Sequence, residues 1–272
     1  MKLRLKILRA LFSIHYFKGR DLLIGRLTDS LVRKPTLLKG DDFIMHLDAS
    51  EYSQLEILLH GESEPKTLAL IRKLVIKGDT VVDVGAHIGH HALVAASRAG
   101  RSGHVIAIDP QPYNADRISM NALINDLTNI TTICAAAGSD ETFVSLPVQS
   151  VRDRARLSLH EPGPNDLAVA VEVPLRRLDN IFAKWNVGEV KLLKIDVEGY
   201  ELDVLRGLGM RIRNCRNIVL EMLDSTDFDR RQTILDLLAS AGFVFRDVIG
   251  NDWTLGSRLI ESTLWAVRTE DL

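Results

Sequence analysis

The chain has 272 residues, 46% of them hydrophobic and 26% charged, with a net charge of −2 and two cysteines. Those proportions fit one large globular domain with appendages and exclude a disulfide scaffold or a charge-swollen disordered chain. No apolar run approaches the ~20 residues of a helical membrane span.

The first 34 residues carry nine Lys or Arg against Asp21 and Asp29, a net +7 that leaves −9 for the rest. The apolar stretch at 11–17 is too short, and too interrupted by Ser13 and His15, for a signal-peptide core. We read residues 1–60 as a basic helical extension whose apolar face caps the main domain. The alternative is an amphipathic helix resting on an anionic membrane surface. After the basic head, a strand is expected at 42–47, helices at 53–59 and 67–76, and a break at 61–65. Strands and helices then alternate: strands at 81–84, 105–108, 130–135, 190–195 and 218–222, helices at 90–98, 115–125, 178–185, 201–208 and 230–241. Such alternation predicts an α/β domain over 61–272 with a mostly parallel sheet covered on both faces. Two closing strands, 243–248 and 262–267, have no crossover helix between them and read as an antiparallel hairpin at the sheet edge. That ending is typical of methyltransferases and unusual in dehydrogenases. The stretch 147–174, with Arg152, Arg154 and Arg156, interrupts the rhythm as a hairpin or loop, either facing substrate or simply solvated. Cys134 and Cys215 lie in or beside apolar strand patterns and read as thiols of a reducing, cytoplasmic compartment. No CxxC or Cys/His cluster marks a structural zinc site, and we assign no metal site.

The segment 80–96 carries the densest signal. An apolar strand passes through Asp83 into a turn made of Gly85, Ala86, His87 and Gly89, then into an alanine-rich helix. This order builds a nucleotide-shaped pocket at a strand's carboxyl end, where backbone N–H groups point outward. It is not the dinucleotide fingerprint, because the two glycines stand four positions apart and an acid precedes them. A carboxylate there repels a pyrophosphate and suits a cation such as the amine of S-adenosylmethionine. About 20 residues on, Asp109 and Pro110 end the second strand, where an acid accepts hydrogen bonds from ribose hydroxyls; the plainer role is capping the next helix. A third cluster, Lys194, Asp196 and Glu198, leaves the strand at 190–195 just before Gly199. If the strand persists, alternation sets all three charges on one side, where they must pair or bind something. The plainer alternative is a Lys–Asp ion pair with a capping carboxylate. Glu221 adds an acid to the same sheet end if its strand is the neighbour. Asp196 with Glu221 has the hard oxygens that suit magnesium. His87, His90 and His91 flank the turn, where histidines more often pack or cap than act as bases.

Taken together, Asp83 to Gly89, Asp109 to Pro112, Leu178 with Asp179 and the Lys-Ile-Asp-Val-Glu-Gly run ending at Gly199 resemble the FkbM-type S-adenosylmethionine-dependent methyltransferases. The likeness extends over roughly 61–221 and includes an acidic turn, Gly61 to Glu64, before the first strand. It implies a seven-stranded Rossmann-like sheet and methylation of hydroxyl oxygens on sugars, glycolipids or polyketides. It implies that Glu64, Asp83, Gly85 and Asp109 fall at the cofactor pocket, with Ala86, His87, Gly89 and Pro110 around them. Lys194, Asp196 and Glu198 fall at the cofactor–substrate junction; our own reading gives the hydroxyl proton to Asp196 or Glu198, with a histidine of the turn as the alternative. The family usually has Asn where this chain has His87, and often Glu where it has Asp109. The expected partner is a small-molecule or glycan- or lipid-linked acceptor, not nucleic acid. A nicotinamide-dependent oxidoreductase is the competing reading, but no Gly-x-Gly turn or Tyr/Lys catalytic set supports it. A binding protein with a retained methyltransferase core rests on the basic head alone.

Overall fold

The structure, a computed structural model, describes residues 36–39, 43–48, 51–147, 170–222 and 227–271. It opens with an antiparallel pair, β1 (Thr36–Lys39) and β2 (Ile44–Leu47), followed by helices α1 (Tyr52–His60) and α2 (Pro65–Leu74). Next come β3 (Thr80–Val84), α3 (His90–Ala99), β4 (His104–Asp109), α4 (Pro112–Ile124) and β5 (Ile130–Cys134). A small side sheet is made by β6 (Ala136–Ala137), β7 (Thr142–Pro147) and β8 (Ala170–Arg176). The rest is α5 (Leu178–Lys184), β9 (Val190–Ile195), α6 (Glu201–Leu208), β10 (Cys215–Glu221), α7 (Phe228–Ser240), β11 (Phe243–Asp247) and β12 (Thr263–Arg268).

The main sheet has the order β11-β12-β10-β9-β3-β4-β5. All pairings from β10 to β5 are parallel, while β12 runs antiparallel to both β10 and β11. The fold is therefore the expected Rossmann-like, mostly parallel seven-stranded sheet. Its closing hairpin is folded so that the last strand lies inside the edge rather than on it.

Parallel strands need both faces covered, and the period of two along each strand supplies the side chains. Val82, Val84, Ile106, Ile108, Leu193 and Ile195 enter one apolar core under α5, α6 and α7. Val81, Val105, Ala107, Leu192 and Val219 enter the other, with residues of α2 and α3. That second core also takes Phe43, Met45, Leu47 and Ile57, so the segment before residue 61 shares a core with the main domain. The expectation of a helical extension is corrected in part. The expected strand at 42–47 is present as β2 and the expected helix at 53–59 as α1, but β2 is paired with an unexpected strand, β1; residues 1–35, with the basic head, lie outside the described residues.

Side chains of α4 hold β2 in place: Asn121 Oδ1 accepts the His46 N–H at 2.8 Å, and Asn125 both accepts from and donates to the backbone of Ile44 at 2.6 Å. In the 147–174 region, the flanks pair antiparallel as β7 and β8, so its ends form a hairpin stem. Arg152, Arg154 and Arg156 lie outside the described residues. Both cysteines are free thiols, Cys134 exposed and Cys215 buried. Among the described residues, no helix is long and apolar enough to cross a membrane.

Candidate active site

The carboxyl ends of β3, β4, β9 and β10 open onto one cavity of about 260 Å3. The turn after β3 forms its floor. Gly85 has φ +79°, and a Cβ there would stand 1.7 Å from the Asp196 carbonyl oxygen, so only glycine lets the β3 and β9 loops touch. The contact is locked from both sides: the Gly85 and Ala86 N–H groups donate to Ile108 O, and the Asp196 N–H donates to Val84 O at 2.9 Å. Gly89 (φ +90°) starts α3 with its backbone close against Ile118.

Asp109 ends β4, buried, with its carboxylate accepting three hydrogen bonds. Oδ1 takes Gln111 N–H (2.9 Å) and Asn114 Nδ2 (3.0 Å), and Oδ2 takes His87 N–H (2.8 Å). A carboxylate has about four acceptor directions, so one on Oδ2 is left over. Burial pushes this group up to about 6, even though its hydrogen bonds favour the ionised form. Asp109 thus ties the start of α4 down through Gln111 and Asn114 without capping its first-turn N–H groups, and it keeps capacity for one further donor.

On the α2-facing side of the sheet, the strand registers set charges beside one another. Asp83 of β3 is paired with Lys194 of β9, and Lys194 with Val219 of β10, two positions before Glu221. Lys194 Nζ donates to Asp196 Oδ2 at 2.8 Å and stands 4.0 Å from Asp83 Oδ1. Burial works to lower the Lys194 pKa, but Asp196, Asp83 and Glu64 outweigh it and hold the ammonium above its ordinary value. Asp83 is pushed up to about 6, chiefly by burial, and both its oxygens lack a hydrogen-bond partner. Burial also acts to raise Asp196, yet Lys194 and a hydrogen bond from Glu221 bring it below the usual carboxylate range. Glu221 carries the opposite shift, up to about 9, from burial and the charges of Asp196 and Glu198. The two carboxyls therefore titrate as a coupled pair, with Glu221 the member held above its ordinary value.

Glu64 begins α2 in a left-handed conformation (φ +48°) and projects into the cavity. Burial, with repulsion from neighbouring acids, pushes it up to about 7. Its Oε2 lies 3.5 Å from His91 Nε2. Burial drives His90 down to about 3 and His91 well below its ordinary value, so both are neutral. His87 differs. Burial opposes its charge, but the hydrogen bond to Glu51 at 2.7 Å prevails and raises its pKa.

Of the residues singled out from the sequence, Glu64, Gly85, Ala86, His87, Asp109, Pro110, Lys194, Asp196, Glu198 and Glu221 line the cavity. Asp83 and Gly89 stand behind its wall; Asp83 faces the sheet's helix-covered side and acts on the cavity through Lys194. β9 ends at Ile195, so strand alternation does not carry as far as Glu198. Glu198 reaches the same cavity by a left-handed turn (φ +53°) instead. Sequence reasoning missed Ser53, Glu56 and Ile57 of α1, the Ala135 to Ala137 wall after β5, Asn114 and Tyr200. Among the described residues, no group of three or more His, Cys, Asp or Glu side chains is arranged to hold a metal ion.

The sequence model described as "Methyltransferase FkbM domain" matches residues 83–245, more than half of the chain. The chain belongs to the FkbM methyltransferase family. Its relatives include the AMB antimetabolite synthetase AmbE of Pseudomonas aeruginosa, 32% identical over 62% of this chain but only 10% of the synthetase. The hexuronic acid methyltransferase AglP of Haloferax volcanii is 22% identical over 72% of this chain and 77% of its own. Among solved structures, the FkbM methyltransferase of Methylobacillus flagellatus KT aligns over 98% of this chain and 58% of that chain, at 15% identity and a TM-score of 0.45. The FkbM match begins at Asp83 and so includes the glycine turn, Asp109 and the Lys194–Glu198 cluster, but not Glu64 or α1.

Proposed function

We propose that the chain transfers a methyl group from S-adenosylmethionine to a hydroxyl oxygen of a sugar, glycolipid or polyketide-type acceptor. The observation that carries the cofactor reading is the Asp109 carboxylate, at the tip of β4 beside the glycine turn, with one acceptor direction remaining for a ribose hydroxyl. Glu64, at the other end of the cavity, suits the amine of the methionine portion, and a cation there draws its raised pKa back down. Family membership favours the same cofactor, and the similarity to a hexuronic acid methyltransferase favours a sugar acceptor.

When bound, the cofactor supplies an already activated sulfonium methyl, so the protein's task is alignment and proton removal. We assign Asp196 to orient the acceptor hydroxyl and receive its proton as the oxygen–carbon bond forms and the carbon–sulfur bond breaks. Glu198 is the second candidate for that proton. Lys194 holds Asp196 ionised and fixes its carboxylate.

Calorimetric titration with S-adenosylhomocysteine and with NAD, followed by methyl transfer to a panel of hydroxylated sugars, hexuronides and glycolipids, tests this reading. We expect binding of the homocysteine compound, no binding of NAD, and a methyl ether product. Binding of NAD alone overturns the cofactor assignment. A methyl ester or N-methyl product overturns the hydroxyl assignment.

A further inference from the structure

We propose that Glu51 is a positioning residue for the cofactor site, coupling the segment before α1 to the ribose-facing carboxylate of Asp109. The inference rests on the S-adenosylmethionine reading above and concerns residues upstream of the family match. Glu51 is 2% exposed and is the N-cap residue of α1, yet its side chain does not cap that helix. It points across to the glycine turn instead, with Oε1 2.7 Å from His87 Nε2. Its other oxygen is taken by Gln54 Nε2, and Gln54 Oε1 in turn accepts the Asp48 N–H at 2.7 Å. Ser53 Oγ adds a donor at 3.3 Å. The carboxylate is therefore held from behind and has one direction to act in.

What it acts on is a strained residue. His87 has φ +51°, a conformation that side chains with a Cβ rarely adopt and that persists only where the surroundings impose it. In this conformation the His87 N–H donates to Asp109 Oδ2 at 2.8 Å. A chain of contacts thus runs from Glu51 through the His87 ring, along its backbone, to the oxygen that retains a free acceptor direction. Ser53, Glu56 and Ile57 of α1 line the same cavity, so the helix that Glu51 anchors is part of the wall. Releasing the ring frees the turn to relax, which misaligns Asp109 without removing any group that touches the ligand.

The experiment measures dissociation constants for S-adenosylhomocysteine in the full chain, in Glu51→Gln, in His87→Ala and in the double variant, between pH 6 and 9. The charges facing His87 are Glu51 ahead of α1, Asp109 from β4 and Asp196 after β9, with His90 and His91 on α3 neutral. We expect Glu51→Gln and His87→Ala each to weaken binding about tenfold, and the double variant to be no weaker than either. We expect wild-type affinity to fall as pH rises through the elevated His87 pKa, and Glu51→Gln to move that fall to lower pH. A purely structural loss would lower thermal stability without moving this profile. Binding by Glu51→Gln within twofold of wild type with an unchanged profile overturns the proposal, as do additive losses in the double variant. If Glu51→Gln does not fold, as judged by circular dichroism, His87→Ala decides: a tenfold loss supports the coupling and wild-type affinity overturns it. A wild-type chain that fails to bind S-adenosylhomocysteine at all brings down the cofactor reading itself.

Discussion

Asp83 is a buried acid on β3 whose nearest cation is the Lys194 ammonium, 4.0 Å away. From its place before the first glycine, it reads as the acid that meets a cationic ligand. In the fold it is the register partner of Lys194, buried and without a hydrogen-bond partner. Its charge reaches the cavity only by setting the state of that lysine. The neighbouring Asp196 is half-buried at the cavity wall and is the residue to which we assign the proton. Asp196→Asn keeps shape and hydrogen-bonding capacity but cannot take a proton. We expect kcat to fall about 10²–10⁴-fold, the usual contribution of a positioned base, while affinity for S-adenosylhomocysteine stays within a few fold. Steady-state kinetics beside calorimetry checks this split, and an unchanged kcat removes Asp196 from the proton-accepting role. The acids at strand ends were legible because a charge closing an apolar strand has no place in the core. Glu51, Ser53 and Glu56 were not. Their link to the cavity exists only once α1 folds back over a turn more than thirty positions away, and local sequence carries no trace of that return.

Helices and strands of the central domain could be read almost directly, since a parallel sheet buried on both faces leaves uninterrupted apolar runs. The misses are elements whose partners decide them. β1 exists because β2 pairs with it, and β7 because β8 does. Strand order is equally hidden: the closing hairpin is visible in the sequence, but β12 lying between β10 and β11 is not. The start of α2 shows the same dependence on distant chain. Its own N-cap residue, Glu64, makes no capping bond. The Lys66 and Thr67 N–H groups go instead to the Glu261 carboxylate, both at 2.9 Å. Glu261→Ala should therefore cost about 1–2 kcal/mol, the range of a lost cap, and shift Glu64 within the cavity. A urea midpoint equal to wild type contradicts this. Gly85→Ala is the severer change, because its Cβ collides with the β9 loop in a positive-φ position. We expect a loss of about 3 kcal/mol or more in urea unfolding, together with loss of cofactor binding.

Over the whole molecule, the buried acids make stability depend on pH. Glu221 keeps its proton to about 9 in the fold, while in the unfolded chain it releases it near 4.5. A raised pKa of this kind contributes stability that is complete below the unfolded value and disappears as pH climbs through the folded one. Toward pH 9, His90 and His91 are neutral in both states, and the elevated His87 and the buried Cys215 thiol, pushed up to about 12, act in the same direction as Glu221. We therefore expect unfolding free energy to fall by up to about 1 kcal/mol per pH unit between about pH 7 and 9. The slope should flatten between pH 8 and 9 in Glu221→Gln; urea midpoints at pH 7, 8 and 9 read it, and an equal slope in the variant refutes the assignment. The position of β12 also dictates an order of assembly. β11 is made before β12, but β12 is its sole neighbour in the main sheet among the described residues, so it has no place on the sheet until the later strand arrives. Until then β10 presents an unsatisfied hydrophobic edge, an invitation to strands from other molecules. During synthesis the half of the sheet holding Glu221 is the last to close, and the aggregation hazard lasts until residue 268 has left the ribosome.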